Sequence, residues 1–157
     1  MEKFEERIYW IWLSQIPGIG AKRFHLLVKQ FAGAYGVWLA PKGELLKLAP
    51  QLSVNVVNEI INHRKNEVLD RIFQSLNSEH YRIVTLLDQE YPVLLKHIFD
   101  PPPVLYCKGM SIKDINPSIA IVGSRRSTGY GRQMAERFGF QLAEAGVTVV
   151  SGLARGI

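Results

Sequence analysis

Residues 118–156 read SIAIVGSRRSTGYGRQMAERFGFQLAEAGVTVVSGLARG and leave little choice of fold. Ile119–Val122 is a short apolar run with β-branched residues, of the kind found in strands buried on both faces. It enters a glycine-bearing turn, Gly123 to Gly131. A helix follows: Met134, Ala135, Phe138, Leu142 and Ala145 recur at three- and four-residue steps and so share one face, and Gly146 is placed to close it. Thr148–Val150 is a second β-branched run. Strand, turn, helix and strand in so short a span make a βαβ crossover, because two parallel strands need a connection of about this length.

The turn is suited to an anion. Glycines at 123, 129 and 131 let backbone approach a ligand closely, and a helix starting near Tyr130 points unpaired N–H groups and a partial positive charge at the same spot. Arg125 and Arg126 add planar, permanently charged forks that match phosphate oxygens, while Ser124, Ser127 and Thr128 add short hydroxyl donors. The second strand ends in Ser151 and Gly152, followed by Arg155 and Gly156. In a parallel sheet both strand ends lie on one edge, where ligands of such sheets sit. The two loops are therefore expected to face one site made of Gly123, Ser124, Arg125, Arg126, Ser127, Thr128, Tyr130, Gly131, Ser151, Gly152 and Arg155. The glycine spacing is neither the dinucleotide fingerprint nor the P-loop, so no NAD, ATP or other cofactor is expected.

Charge points the same way. The chain has 157 residues with a net charge of +5, and residues 117–157 carry +3 of it. A modest basic excess beside the glycine turn is compatible with a phosphate-bearing polymer. The single cysteine, Cys107, excludes an internal disulfide and a cysteine-based metal cluster, and in the run VLYC it reads as a small core residue. The four histidines are scattered, and no metal site is expected. Ser124 and Ser151 follow strand ends, but G-x-S-x-G is absent and no general base can be assigned to them, so no catalytic residue is expected. The amino terminus is acidic where a signal peptide would be basic, and no apolar stretch has the length of a membrane span. We read the chain as cytoplasmic, with no membrane partner.

The first part of the chain is helical in pattern. Phe4, Ile8, Ile11, Trp12 and Gln15 stand at helical steps, with Glu2, Glu5 and Glu6 in the first turn. Tyr9, Trp10 and Trp12 are candidate base-stacking platforms, but aromatics at helical spacing are usually core, and that reading is preferred. Ile16-Pro17-Gly18-Ile19-Gly20 breaks this helix, and Ala21–Phe31 resumes one through Phe24, Leu27, Val28 and Phe31. Helix, PGIG, helix resembles the helix-hairpin-helix motif, in which two glycines press hairpin N–H groups against a DNA phosphate without reading bases. Gly18, Gly20, Lys22 and Arg23 are the candidate contacts there, and a purely structural connector is the equal alternative. Two short helices separated by Pro41 follow, with Pro50 closing that part. From Ser53, an expected N-cap, the positions Val57, Ile60, Ile61, Val68, Ile72 and Leu76 support one long helix or two in tandem. Residues 1–77 are thus expected to form a small helical module.

Asn77–His80 is a polar break. Arg82–Leu87 reads as a strand, Tyr91-Pro92 opens a short helix, and three prolines at 101–103 enforce an extended lead into the strand Val104–Cys107. Both strands are expected to add to the edge of the later sheet, with Lys108–Pro117 as a connecting loop. Residues 78–157 then form the start of an extended Rossmann-like, parallel α/β domain.

The run IAIVGSRRSTGYG, followed by GVTVVSGLARGI, resembles the opening of the Rossmann-like domain of the DNA-processing protein A family, DprA, also called Smf. LLDQEYPVLLKHIFDPPPVLYCKG, Leu86–Gly109, resembles the segment just upstream in that family, with its D-x-x-YP, L-x-x-I and P-x-x-LY-x-x-G. The resemblance covers roughly residues 83–157. It implies a sterile-alpha-motif-like (SAM-like) bundle at the amino terminus, binding of single-stranded DNA, and loading of the RecA recombinase onto it during natural transformation. It also implies that the pattern continues beyond Ile157 with an aspartate and an Ala-His pair, so that this chain is expected to be a fragment, and that a homodimer forms through that further part. The alternative enzyme is a nucleoside monophosphate phosphoribohydrolase of the LOG, lysine-decarboxylase-like type, whose PGGxGT loop is not found here.

Overall fold

The computed structural model describes residues 2–76, 81–110 and 117–157, with side chains from residue 6 onward. The side chains of Glu2, Phe4 and Glu5, the polar break 77–80 and residues 111–116 of the connecting loop lie outside the described residues. The chain divides into two compact units, Met1–Ser111 and Ile112–Ile157.

The first unit opens with α1 (Glu2–Ser14), α2 (Ala21–Gln30), α3 (Ala34–Leu39), α4 (Lys42–Leu46), α5 (Ala49–Leu52), α6 (Val54–Asn62) and α7 (Asn66–Leu76). α1 is central. Its Trp10, Ile11, Trp12 and Leu13 are buried with Phe24 and Leu27 of α2, Val37 of α3, Leu45, Leu52, and Val57 and Ile60 of α6. The expected apolar steps thus converge on one core, and burying each large side chain stabilises the unit by about 1.5–3 kcal/mol relative to exposure. Trp12 reaches this position fully buried because its Nε1 donates to the His63 carbonyl at 2.8 Å.

Caps and breaks follow from local chemistry. The stretch from Ser53 forms two helices in tandem, and Ser53 Oγ accepts from Val56 N at 3.5 Å at the start of α6. Pro50 opens α5 at its first turn instead of closing the preceding part, since a missing N–H costs nothing there. α3 begins at Gly33, which has no side chain to cap with, and the cap is supplied from α1. Glu6 accepts from Ala34 N at 2.5 Å, Tyr35 N at 3.3 Å and Trp10 Nε1 at 3.0 Å. A carboxylate at a helix N-terminus is favoured by the dipole as well as by the bonds.

The expectation that both upstream strands extend the later sheet is corrected. Among the described residues β1 (Arg82–Thr85) and β2 (Val104–Cys107) pair only with each other, antiparallel, with Ile83 opposite Tyr106 and Thr85 opposite Val104. The pair packs on α1. Ile83 joins the helical core, and Arg7 of α1 donates to the Ile83 carbonyl and pairs with Asp88, its Nε 3.5 Å from Oδ2. Asp88 Oδ2 also accepts from Thr85 N at 2.7 Å and Thr85 Oγ1 at 3.0 Å. Between the strands run α8 (Val93–Lys96) and the prolines. Tyr91, buried just before α8, donates its hydroxyl to the Pro102 carbonyl at 2.8 Å, and Leu86 N donates to Pro103 O at 3.1 Å. The motif D-x-x-Y-P is therefore a staple that fastens the strand pair and the proline segment to the helices.

The second unit is the expected βαβ crossover: β3 (Ser118–Ala120), α9 (Gly129–Glu144) and β4 (Thr148–Val150), with Ser118, Ile119 and Ala120 in parallel register with Thr148, Val149 and Val150. Gly146 closes α9 as expected, with Val147 N bonded to Leu142 O at 2.9 Å and Gly146 N to Ala143 O at 3.0 Å. Two details differ. β3 is not buried on both faces: it is exposed along its length, Ile119 to 46%, because one helix covers one face of a two-stranded sheet. The inward stripe of α9 is Gly131, Met134, Ala135, Gly139 and Leu142, while Phe138 and Ala145 turn outward. Ile121 Cδ1 lies 3.7 Å from where a Cβ on Gly139 would stand, so it packs on that face of α9.

Candidate nucleic-acid interface

The parallel register sends both strand ends of the second unit to one edge, and the ladder continues one step beyond β3 through Ile121 N to Val150 O at 2.9 Å. Each end then turns by the same device. Ser124 Oγ accepts from Arg126 N at 3.1 Å, and Ser151 Oγ accepts from Leu153 N at 3.2 Å. A serine that bonds its own loop two residues on makes a tight turn without secondary structure. Thr128 is likewise the N-cap of α9, its Oγ1 accepting from Gly131 N at 3.1 Å, and Arg132 Nη1 donates to Ser127 O at 3.1 Å to close the loop.

The two loops meet. Gly156, at φ 112°, lies so close to Ser124 and Arg125 that any Cβ would run into the Ser124 carbonyl and stand 2.8 Å from Arg125 Cα. Only glycine combines that φ with that approach. The Ile157 side chain packs between the glycines of the turn: a Cβ on Gly123 would stand 2.8 Å from Ile157 Cβ, and one on Gly131 3.3 Å from Cδ1. Gly123, Ser124, Arg125 and Gly131 are thus brought together with the end of the second loop. Gly129 and Gly152 face open space, and Tyr130 is 72% exposed.

These contacts reassign several of the expected donors. Gly131 N is satisfied by Thr128, so the free N–H groups at the start of α9 are those of Gly129 and Tyr130, which have no partner among the described residues. The hydroxyls of Ser124, Thr128 and Ser151 act first as acceptors from their own loops. Arg125, Arg126 and Arg155 are all exposed, and their guanidinium groups have no ion pair or hydrogen bond among the described residues. The site therefore presents three uncommitted guanidinium groups and two uncommitted amides around the joined loops. Gly156 and Ile157 are the participants not singled out from sequence; the Arg-Gly pair after the second strand is the trace they leave there.

In the first unit, Gly18 sits at φ 83° with Val56 Cγ2 only 2.9 Å from where a Cβ would stand. Gly20 is the N-cap of α2 and supplies no side-chain bond. Arg23 folds back, Nη1 donating to the Gly18 carbonyl at 2.7 Å, and Lys22 lies 3.8 Å from Asp100 Oδ2 and 5.3 Å above the Phe99 ring. The hairpin cations are thus engaged within their own unit, and His25 Nε2 lies 3.0 Å from Pro101 O beside them.

Residues 82–157 match the family described as DNA recombination-mediator protein A. Residues 82–157 carry this family's domain. The match starts at the first residue of β1 and includes the staple, the βαβ crossover and both loops. The helices are shared with a relative too: Protein Smf of Synechocystis is 30% identical over 156 residues, covering 97% of this chain and 39% of its own. The DNA processing protein DprA of Bacillus subtilis is 35% identical over 100 residues, 59% of this chain and 34% of the relative. That of Streptococcus pneumoniae is 34% identical over 95 residues, 57% and 33%. The chain thus spans about two fifths or less of the length of these relatives. No described helix is long and apolar enough to cross a membrane, and no cluster of His, Cys, Asp or Glu suited to a metal occurs among the described residues.

Proposed function

We propose that the joined loops of the second unit hold the phosphates of single-stranded DNA, and that the full-length protein protects such strands and loads RecA onto them in the cytoplasm, acting as a homodimer. The observation that carries the proposal is the meeting of two strand ends whose three guanidinium groups and two helix-terminal amides have no partner among the described residues. Phosphate is the ligand such a set favours: guanidinium forks pair with its oxygens, and amides at a helix N-terminus donate to those that remain. The thread contacted is sugar-phosphate, because no described group in the loops is arranged to read base edges.

Arg125→Ala in the full-length protein should weaken binding of a fluorescent oligothymidine and reduce the slope of log affinity against log salt by about 0.7, the value for one lost contact to a single strand. Titrations at several salt concentrations by fluorescence anisotropy measure both. Unchanged affinity and slope in Arg125→Ala, with the same result for Arg126→Ala and Arg155→Ala, would remove the loops from the interface.

A further inference from the structure

A cleft of about 380 Å³ in the first unit is lined by side chains with no part in the loops just described. Its apolar surface comes from Trp12 of α1 and from Val68 and Ile72 of α7. One wall is aromatic: the Tyr81 and Tyr106 rings lie 5.9 Å apart at 60°, and Tyr106 on β2 is 53% exposed. Gln15 Nε2 donates to the Tyr106 hydroxyl at 2.9 Å, which fixes both groups and leaves the Gln15 carbonyl oxygen and second N–H uncommitted. His63 Nδ1 lies 2.8 Å from the Glu59 carbonyl and 3.5 Å from Glu59 Oε2, so Nε2 is the ring nitrogen left toward the cleft. Arg71 uses only Nε within its helix, on the Glu67 carbonyl at 3.2 Å, and keeps two terminal N–H₂ groups. No carboxylate is among the lining residues.

We propose that this cleft binds one nucleotide, with the base against Tyr81 and Tyr106 and the phosphate at Arg71. Aromatic side chains stack on any base through its π-face. The Gln15 amide offers a donor and an acceptor side by side, the pairing a base edge requires. Arg71 supplies the charge, and the one carboxylate paired with a lining residue, Glu59, lies on the Nδ1 side of His63. A volume of this size falls within the range of small-molecule sites and holds a single nucleotide, not a chain of them. The base belongs either to a free nucleotide or to one unit of a strand, and the same chemistry serves both.

The test is isothermal titration calorimetry of the chain with thymidine monophosphate, thymidine and oligothymidine. Tyr106→Ala should weaken the monophosphate about tenfold, from the loss of one stacking partner, with the fold verified by an unchanged thermal transition. Arg71→Gln should abolish the preference for monophosphate over nucleoside. Arg125→Ala, in the other unit, should leave monophosphate binding unchanged, which separates this site from the proposed phosphate loops. A parallel loss of oligothymidine affinity in Tyr106→Ala assigns the base to a strand, and a loss confined to the monophosphate assigns it to a free nucleotide; either supports the site. No binding at millimolar monophosphate, or equal affinity in wild type, Tyr106→Ala and Arg71→Gln, overturns it.

Discussion

Replacing Asp88 by alanine should loosen the strand pair from the helices. One oxygen, Oδ2, accepts from Thr85 N at 2.7 Å and from Thr85 Oγ1 at 3.0 Å, and lies 3.5 Å from Arg7 Nε. A hydrogen bond to a charged group contributes about 1.5–3 kcal/mol, and a buried donor left without a partner costs about 1–3 kcal/mol. Thr85 has no exposure at all, so its N–H cannot turn to water; the Asp88 and Arg7 side chains keep 25% and 27%, so their ion pair is partly screened and contributes less. The net expectation is a loss of about 3 kcal/mol for Asp88→Ala and about 1–2 kcal/mol for Asp88→Asn, which keeps an acceptor but not the charge. All three tryptophans, Trp10, Trp12 and Trp38, lie in the first unit, so urea unfolding followed by tryptophan fluorescence reports on that unit. With an m-value of about 1.5–2 kcal/mol/M, the midpoint for Asp88→Ala should fall by about 1.5–2 M. Because both lose the bond from Thr85 Oγ1 to Asp88 Oδ2, Asp88→Ala and Thr85→Val combined should cost less than their sum. Strict additivity, or a midpoint shift for Asp88→Ala too small to resolve, would refute the staple.

Two further outcomes follow from single side chains. Glu6→Ala removes the charged cap of α3 and should destabilise the first unit by about 2 kcal/mol in the same titration, with Glu6→Gln losing about half as much. Burial holds the Tyr91 phenol above its ordinary value of 10.0. The fold therefore favours the protonated form, so this contribution to stability is complete below about pH 10 and is lost as pH rises through the folded value. Tyr91→Phe should be about 1 kcal/mol less stable at neutral pH, from its lost bond to Pro102 O, and should show a shallower alkaline decline.

What the sequence made legible was local. The crossover could be read because β-branched runs, a glycine turn and an amphipathic helix follow one another without a gap, and the helices because Trp12, Phe24, Val57 and Ile60 repeat at helical steps. Pairing was not legible for β1 and β2. A four-residue apolar run fits several sheet edges, and the partners that place this one, Arg7 and Ile83, are 76 residues apart. Glu6 reads as a helix-start acid, yet it caps a helix 28 residues on, and nothing local marks that role. In the loops, residue types indicated an anion site, but a hydroxyl's partner depends on backbone geometry. Ser124, Thr128 and Ser151 therefore could not be told apart from free donors until their amides were located.

Those two serines at the strand ends have a chemical consequence of their own. An oxygen that already accepts a hydrogen bond from a neighbouring amide donates a stronger one through its own O–H, since hydrogen bonds in series polarise one another. The turn that positions each loop thus strengthens the donor at its tip, so that local architecture and outward hydrogen bonding are set by a single atom.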